Sequence, residues 1–524
     1  MGKVVVAVDV GTGSARAGLY DSRGTLLERA SHPILVNRQG PVFATHSSSD
    51  IWQAVCTAVR TVMARANVGA DEVAGIGFDA TCSLVVLDAD YASLPVCRDG
   101  KDPAWDTIAW FDHRAIGEAE TMTATADPAL RFAGEIVSPE MQLPKLLWLK
   151  RHRPELWAQA HHIFDLADYL TFRATGLTTR ALSTLATKWN YLAHESEGWS
   201  ERFLNAVDLA DIRKRTGIRT EQALAPGAAV GALGIGAAAD LDLPAGIVVA
   251  TGMVDAYAGL LSLLAGADDV TNRAALIGGT SSCVMCLMPE AQFLRSFWGP
   301  YFGAVLGDSW VLEGGQSATG ALLDLIIQSH GAGGSPTAAL HQKVLDRISE
   351  RLSLEGPDFA GPLHILPDHH GNRSPFGDAM AGGAIQGLSL DPSFDGLCTI
   401  YYRAMVSLAL GIRQILDLME LTEPIRRLEF GGGHVLNPIL TRLYADVTGR
   451  EISIGAGDEA MLHGTAIAAA TAAGLFPSLP EGARAMRRQE RVIAPETSNQ
   501  ACHERDYRVF LKMQEQRREL ARIL

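Results

Sequence analysis

Four groups of residues in this 524-residue chain have the types and spacing to do chemistry. The first is Asp9 followed by Gly11-Thr12-Gly13-Ser14. Glycines in a turn after a strand let backbone N–H groups converge on an anion with no side chain in the way. An acid beside a phosphate site repels the phosphate, unless a divalent cation sits between them, directly or through water, as Mg²⁺ prefers. The alternative is a Gly-rich hairpin with one exposed acid. The second is Asp255, alone in the otherwise apolar Thr251-Gly252-Met253-Val254-Asp255-Ala256 between a strand and a helix. It reads either as a general base or as a helix N-cap. Third, Asp79-Ala80-Thr81-Cys82-Ser83 interrupts an apolar strand, which costs stability unless these groups meet a polar ligand or one another. Fourth, Asp112-His113-Arg114 is either an exposed charged turn or a substrate contact.

The elements that must position these residues follow from the patterning. Val4 to Val8 is an apolar run with β-branched residues on both faces, the pattern of a strand covered on both sides. A hairpin partner spans Ala15 to Tyr20, and a third strand Thr25 to Ile34. Ser49 to Ala66 reads as a helix capped by Ser49 or Asp50, with Ile51, Val55, Ala58, Val59 and Val62 on one face. Val73 to Asp88 reads as one strand broken by the polar cluster, and Gly259 to Asn272 as the crossing between two halves. Directly after it, Arg273 to Val284 repeats the opening pattern of strand, hydroxyl-bearing glycine turn (Gly278-Gly279-Thr280-Ser281) and strand. Leu312 to Ser317 opens a helix through Ile327, and a long helix runs from Cys398 to Leu421. A third glycine turn, Gly431-Gly432-Gly433, follows the strand Arg427 to Phe430, and Asn437-Pro438 start a helix. Glycine turns at strand ends in a repeated αβ context fit phosphate clamps and one close approach to a base or ribose. The repeat predicts two related domains facing one cleft, divided as 1–258 and 259–524.

Composition narrows the classes. The formal charge, 45 minus 59, is −14, and a polyanion would recruit a basic face, so nucleic acid is excluded as a partner. The longest apolar stretch, Gly246 to Gly266, carries Asp255 and several glycines and makes a poor membrane span. Met1 runs almost directly into the first strand, so no signal peptide is expected and the protein reads as cytoplasmic. Seven scattered cysteines fit reduced thiols. Cys283 and Cys286, and the pairs His161-His162 and His369-His370, lack partners at zinc-ligand spacing.

Taken together, these motifs resemble the FGGY carbohydrate kinases over nearly the whole chain. The resemblance rests on Asp9-Val10-Gly11-Thr12-Gly13-Ser14, Gly252 to Ala256, Gly278 to Ser281, Phe430 to Gly433, Asn437-Pro438 and Ala445 to Arg450. The sequence departs from the family at His434-Val435, where a small residue or serine is usual. The likeness implies an α/β fold of two ribonuclease-H-like, actin-like ATPase domains around a central nucleotide and sugar cleft with a hinge. It implies ATP and Mg²⁺, with Asp255 as catalytic base and Asp9 at the metal. Gly11, Thr12, Gly13, Ser14 and Arg16 would face the γ-phosphate side, and Gly279 and Thr280 the phosphates. Gly315, Gln316, Gly432, Gly433 and Asn437 would face the nucleoside. Asp79, Thr81, Cys82, Ser83, Asp112, His113, Glu140 and Gln142 would join Asp255 around the sugar. Glycerol kinases carry an Arg-Glu pair, and xylulokinases a Met-His pair, where this chain has Thr81-Cys82. Glu140-Met141-Gln142 and Gly371-Asn372-Arg373-Ser374-Pro375 look like the ribulokinase branch, nearest its D-ribulokinases, with L-ribulokinase, ribitol kinase and xylulokinase as alternatives. A small-molecule sugar and ATP are the expected partners, and a homodimer is left open. An actin-like ATPase switch shares the phosphate loops but needs no sugar pocket, so Asp79 to Ser83 and Asp112 to Arg114 argue against it.

Overall fold

The structure is a computed structural model describing residues 2–216, 223–419, 424–455 and 459–523. The chain packs into two compact units that interleave along the sequence. One is Met1–Val270 with Leu287–Leu312 and Glu459–Arg488; the other is Thr271–Cys286 with Glu313–Asp458 and Gln489–Leu524. The expected cut at 258/259 divides the chain by order, whereas these units divide it by packing.

In the first unit Val4–Val10 is buried at every position, as its two-faced apolar pattern requires. It pairs antiparallel with Ser14–Asp21, which pairs antiparallel with Leu26–Pro33. On its other side it pairs parallel with Val73–Ala80, followed by Val248–Ala250, also parallel, and Ala229–Ala232. An antiparallel meander continued by parallel strands is the ribonuclease-H-like arrangement. The register sets Val5 beside Gly75, Ala7 beside Gly77 and Asp9 beside Asp79. Because side chains alternate across a strand, these pairs share one face, and Val6, Val8, Ile76 and Phe78 share the other. The second face packs on the helix Ser48–Ala66 through Ile51, Val55 and Val59.

The first face carries the small-residue helix Ala460–Ala472. A Cβ at Gly77 would lie 3.0 Å from the Thr465 carbonyl oxygen, so the helix rests almost directly on the sheet backbone. A Cβ at Gly464 would lie 1.8 Å from the Ala258 carbonyl oxygen, so it also crosses the helix Asp255–Leu264 at backbone contact. A second, five-stranded sheet and the helices Gln142–His152 and Leu182–Lys188 build another core around Leu84, Leu146 and Trp189.

The second unit repeats the plan. Arg273–Gly278 pairs antiparallel with Ser282–Met288, and parallel with Arg427–Gly431, which pairs parallel with Glu451–Ile454. Trp310–Gln316 lies next to Ser282–Met288. The long helix Phe394–Met419 is buried through most of its length.

Several expectations change in detail. Val73 to Asp88 is two strands, Val73–Ala80 and Leu84–Leu87, in different sheets, and Thr81 to Ser83 is the bend between them. Residues 312–316 extend a strand, and the helix that follows is Gly320–Ser329; the glycines keep strand geometry because a Cβ at Gly315 would meet the Ser282 carbonyl oxygen at 2.7 Å. Of the expected crossing Gly259 to Asn272, residues 259–264 belong to the helix Asp255–Leu264, and the change from one unit to the other falls within it, between Val270 and Thr271. Ser47, not Ser49 or Asp50, caps the first long helix, accepting from the Asp50 N–H at 3.3 Å. The long helix starts earlier than expected, at Phe394, and the expected end at Leu421 lies outside the described residues. Among the described residues no helix is long and apolar enough to cross a membrane.

Candidate active site

In the first unit the strand ends bring three carboxylates together. Asp9 and Asp79 are in register on adjacent strands, and Met253–Val254 pairs beside Asp79 and Ala80, which delivers Asp255 to the same end. Asp255 begins its helix; Val254 is the cap residue and makes no side-chain cap bond. The Asp255 Oδ1 accepts from the adjacent Ala256 N–H at 2.7 Å, one of the free donors of the helix's first turn, so the carboxylate also serves the helix start. Desolvation by the surrounding protein, with Asp9 nearby, pushes the Asp255 carboxyl up to about 6, opposed by Lys188 and Arg16. Asp79 is fully buried, and desolvation followed by the Asp9 charge raises it well above the usual carboxylate range. Thr465, from the late helix, donates to the Asp79 Oδ2. Asp9 is 1% exposed; its Oδ2 ion-pairs with Arg16, and its Oδ1 has no hydrogen-bond donor among the described residues.

The glycine turn closes on itself, Gly11 N–H to the Ser14 carbonyl at 3.0 Å. It is then tied to the polar bend. The Thr81 N–H donates to the Val10 carbonyl (2.9 Å), Trp110 Nε1 donates to the Thr12 Oγ1 (3.0 Å), and the Trp110 N–H donates to the Ser83 Oγ (3.2 Å). Gln142 Nε2 donates to the Cys82 carbonyl at 3.0 Å and to the Asp165 Oδ2 at 2.8 Å. The structure therefore brings together Asp9, Thr12, Arg16, Asp79, Thr81, Cys82, Ser83, Gln142 and Asp255. Burial holds the Cys82 thiol up at about 12, so it acts here as a small neutral group. His113 pairs with Glu140 at 3.7 Å. Asp112 is spent within its own loop: Oδ1 accepts from the Arg114 N–H and Nε, and Oδ2 from Arg114 Nη2 and the Ala44 N–H, all between 2.7 and 3.0 Å.

Two lysines that the sequence reading did not single out belong here. Lys145 is fully buried and donates to the carbonyls of Ala109, Trp110 and Glu140 at 3.1 to 3.3 Å, holding two site loops at once. Lys188 is 4% exposed, places its Nζ 4.3 Å from the Trp298 ring centre, and draws the Asp255 proton affinity down. For Lys145 the available signal was a Lys within the apolar Leu143-Pro144-Lys145-Leu146-Leu147, since burial of an amine requires partners.

In the second unit the turn Gly278 to Ser281 closes as the first does, Gly279 N–H to the Ser281 carbonyl at 2.9 Å. Gly432 has a φ of +87°, and a Cβ there would lie 2.5 Å from the Gly278 carbonyl oxygen, so the two glycine turns touch. The departure at His434 follows from this: its ring packs on Gly278, where a Cβ would lie 2.6 Å from Nδ1. Gly315 donates its N–H to the Ser374 Oγ (3.3 Å), and Gln316 Nε2 donates to the Leu408 carbonyl (3.2 Å). Asn437 caps the helix Pro438–Thr448 by accepting from the Leu440 N–H at 3.0 Å. Thr280 accepts at its carbonyl from the Thr319 N–H at 2.9 Å, and Gly433 begins a short 3₁₀ turn.

The cysteine and histidine pairs weighed as metal ligands join no three-residue cluster among the described residues. Cys502, His503 and Asp506 do lie within ligand reach of one another, but Asp506 takes Arg403 at 2.6 Å and Arg505 at 3.4 Å instead.

Two nucleotide-type turns, each at the strand ends of a ribonuclease-H-like sheet, one beside a clustered acid triad, define a sugar-kinase type of fold. The xyloylose kinase of Brucella ovis superposes with a TM-score of 0.81 at 21% identity, covering 99% of this chain and all of that one. Residues 4–262 match the N-terminal domain, and residues 274–473 the C-terminal domain, of the FGGY family of carbohydrate kinases, and the chain belongs to that family. The human FGGY carbohydrate kinase domain-containing protein is 38% identical over 99% of this chain and 97% of its own length. The yeast D-ribulokinase YDR109C is 34% identical over 96% of this chain and 75% of its own length.

Proposed function

We propose that this carbohydrate kinase transfers the γ-phosphoryl group of ATP to the primary hydroxyl of D-ribulose, giving D-ribulose 5-phosphate and ADP. The observation that carries the chemistry is Asp255 at the strand ends, pushed up to about 6 by burial and by Asp9 and drawn back by Lys188 and Arg16. A carboxylate of that pKa is ionised at neutral pH yet basic enough to accept the hydroxyl proton as the phosphoryl group moves. The choice of D-ribulose is supported by the Asp79 to Ser83 and Gly371 to Pro375 motifs and by the 34% identity to the yeast D-ribulokinase.

Gln142, Thr81, Ser83 and Lys188 orient the sugar beside Asp255, with the His113–Glu140 pair completing its contacts and Cys82 and Asp79 lining the site. Asp112 serves indirectly, through its Arg114 clamp on the loop. Thr12, Gly13, Ser14 and Arg16 meet the γ-phosphate, and the backbone of Gly279 and Thr280 the remaining phosphates. Gly315, Gln316, Gly432 and Gly433 contact the nucleoside, with Asn437 fixing the helix beside them. A hard divalent cation fits Asp9, whose buried Oδ1 has no hydrogen-bond donor. Bound there, Mg²⁺ would offset the triphosphate charge. A kinase of this kind works in the cytoplasm, where ATP and free sugar meet.

The test is a coupled ADP-release assay over D-ribulose, L-ribulose, ribitol and xylulose. D-Ribulose is expected to give the highest kcat/KM; a clearly higher value for another of these acceptors overturns the assignment. A site built around a given sugar hydroxyl leaves its own polar groups unpaired with the wrong epimer, so the ranking is expected to be steep.

A further inference from the structure

Behind the Gly278 to Ser281 turn lies a ring of polar side chains that no substrate contact accounts for. His434, Tyr444, Ser282 and Thr319 are all buried, at 8%, 0%, 0% and 0% exposure. Thr319 Oγ1 donates to the Gly279 carbonyl at 2.9 Å and lies 3.0 Å from the Ser282 Oγ. Ser282 hydrogen-bonds Tyr444, whose hydroxyl lies 3.5 Å from His434 Nδ1. The His434 ring returns to the start, against Gly278 and the Gly279 carbonyl. With Tyr444 donating to Nδ1, the ring proton sits on Nε2, which has no hydrogen-bond acceptor among the described residues: the Gly279 carbonyl is taken by Thr319 Oγ1 and the Gly320 N–H. The ring meets the glycine turn by packing on Gly278 rather than through a hydrogen bond. The outer side of the turn is held as well: the Gly320 N–H donates to the Gly279 carbonyl at 2.9 Å.

We infer that His434, backed by Tyr444, is a positioning residue that locks the 278–281 turn to the 431–433 turn and so sets the nucleotide affinity of the second unit. The inference rests on the proposed kinase reading. Two observations support it besides these contacts. Gly278 admits no side chain because the His434 ring occupies that space, and Gly432 admits none because Gly278 does, so the three positions form one fitted contact. Burial lowers the His434 pKa to about 4, so it is a neutral donor and acceptor at working pH and adds no charge of its own to the site. The His434 ring spans the distance to Tyr444, whose hydroxyl lies 3.5 Å from Nδ1.

The experiment measures ADP affinity by calorimetry, without sugar, together with the KM of ATP, the KM of D-ribulose, kcat and melting temperature. His434→Ala is expected to weaken ADP binding and raise the KM of ATP by about tenfold, the loss of one buried hydrogen bond and its packing. The KM of D-ribulose should stay within about twofold. His434→Gln, which keeps a donor and an acceptor, should recover most of the affinity, and Tyr444→Phe should cost about threefold, roughly half a buried hydrogen bond. Should His434→Ala melt too low to assay, Tyr444→Phe and His434→Gln decide alone. His434→Ala or Tyr444→Phe binding ADP within twofold of wild type, His434→Gln losing as much affinity as His434→Ala, or variants that move both KM values together overturn the inference while leaving the kinase reading intact. A wild-type protein that binds no ADP removes the kinase reading, and this inference with it.

Discussion

The two glycine hairpins share a backbone plan and differ in what stands behind them. Gly11 and Gly279 each close their turn by donating to a carbonyl two or three residues on. Two residues before them stand Asp9 in the first and Ile277 in the second. The neighbouring parallel strand sets Asp79 beside Asp9 but Gly431 beside Ile277. The antiparallel strand sets Arg16 beside Asp9 and Cys283 beside Ile277. The first hairpin is thus backed by charge, and the second by neutral hydroxyls and packing. One backbone plan carries a charged setting in one copy and a tightly packed neutral one in the other, set by the residues flanking the turn.

The largest effect that would sharpen this contrast is on Asp255. Asp255→Asn keeps size and polarity but cannot accept the proton, so kcat is expected to fall by about 10² to 10⁴, the usual worth of a general base. That is roughly 3 to 5 kcal/mol of barrier. Sugar affinity and melting temperature should change little, and a variant retaining more than about a tenth of wild-type kcat would place the chemistry elsewhere.

A smaller effect separates the turns by shape. Gly432→Ala forces a Cβ at φ +87° to within 2.5 Å of the Gly278 carbonyl oxygen, whereas a Cβ at Gly13 meets nothing within 4 Å. Gly432→Ala should lose about 1 to 3 kcal/mol in a urea melt. Gly13→Ala should stay within about 0.5 kcal/mol of wild type, as for a substitution that meets no neighbour. Equal losses would show that the second turn is no more tightly fitted than the first.

The smallest effect is on the pH dependence of stability in the first unit. Desolvation raises Asp79, and it raises Asp165 to about 7 and Asp168 to about 6. In the unfolded chain such groups ionise near pH 4 (about 3.9). Between there and about pH 7 the folded protein holds more protons than the unfolded chain. The stability these groups contribute is therefore fully present below about pH 4 and lost as pH rises through 6 to 7. Asp165→Asn still accepts from Gln142 and removes one ionisation, so it should be more stable than wild type at pH 8, by about 1 kcal/mol, and not at pH 4. Parallel urea-melt profiles for the two proteins at both pH values would contradict that assignment.

Much of this was legible in the sequence because it is local. The two-faced Val run, the repeated strand, turn and strand, and Asn437-Pro438 at a helix start all depend on neighbours within a few residues. Asp255 was legible too, since a lone acid in an apolar run advertises itself. What could not be read depends on distant partners. Thr465 reaches Asp79 from the far end of the chain. Asp112 reads as available in a Trp-Phe-Asp-His-Arg string, and only the fold shows Arg114 and Ala44 filling both its oxygens. The apolar neighbours of Lys145 gave no hint that three carbonyls converge on its amine. His434 looked like a departure from a family pattern; the reason for it, a ring seated on Gly278, is a contact across more than 150 residues.

The late helix Ala460–Ala472 has a consequence for how the protein is made. Its seat on Gly75 and Gly77, and its Thr465 bond to Asp79, lie on a sheet whose strands leave the ribosome hundreds of residues earlier. At about 5 to 20 residues per second, roughly 20 to 80 s separate translation of Asp79 from that of the helix that covers it. Throughout that interval the nascent sheet shows water a bare glycine groove with a buried-type carboxyl at its end. A ribosome-stalled chain ending near residue 440 should accordingly be protease-sensitive and bind holding chaperones, and the full chain released from the ribosome should lose both properties.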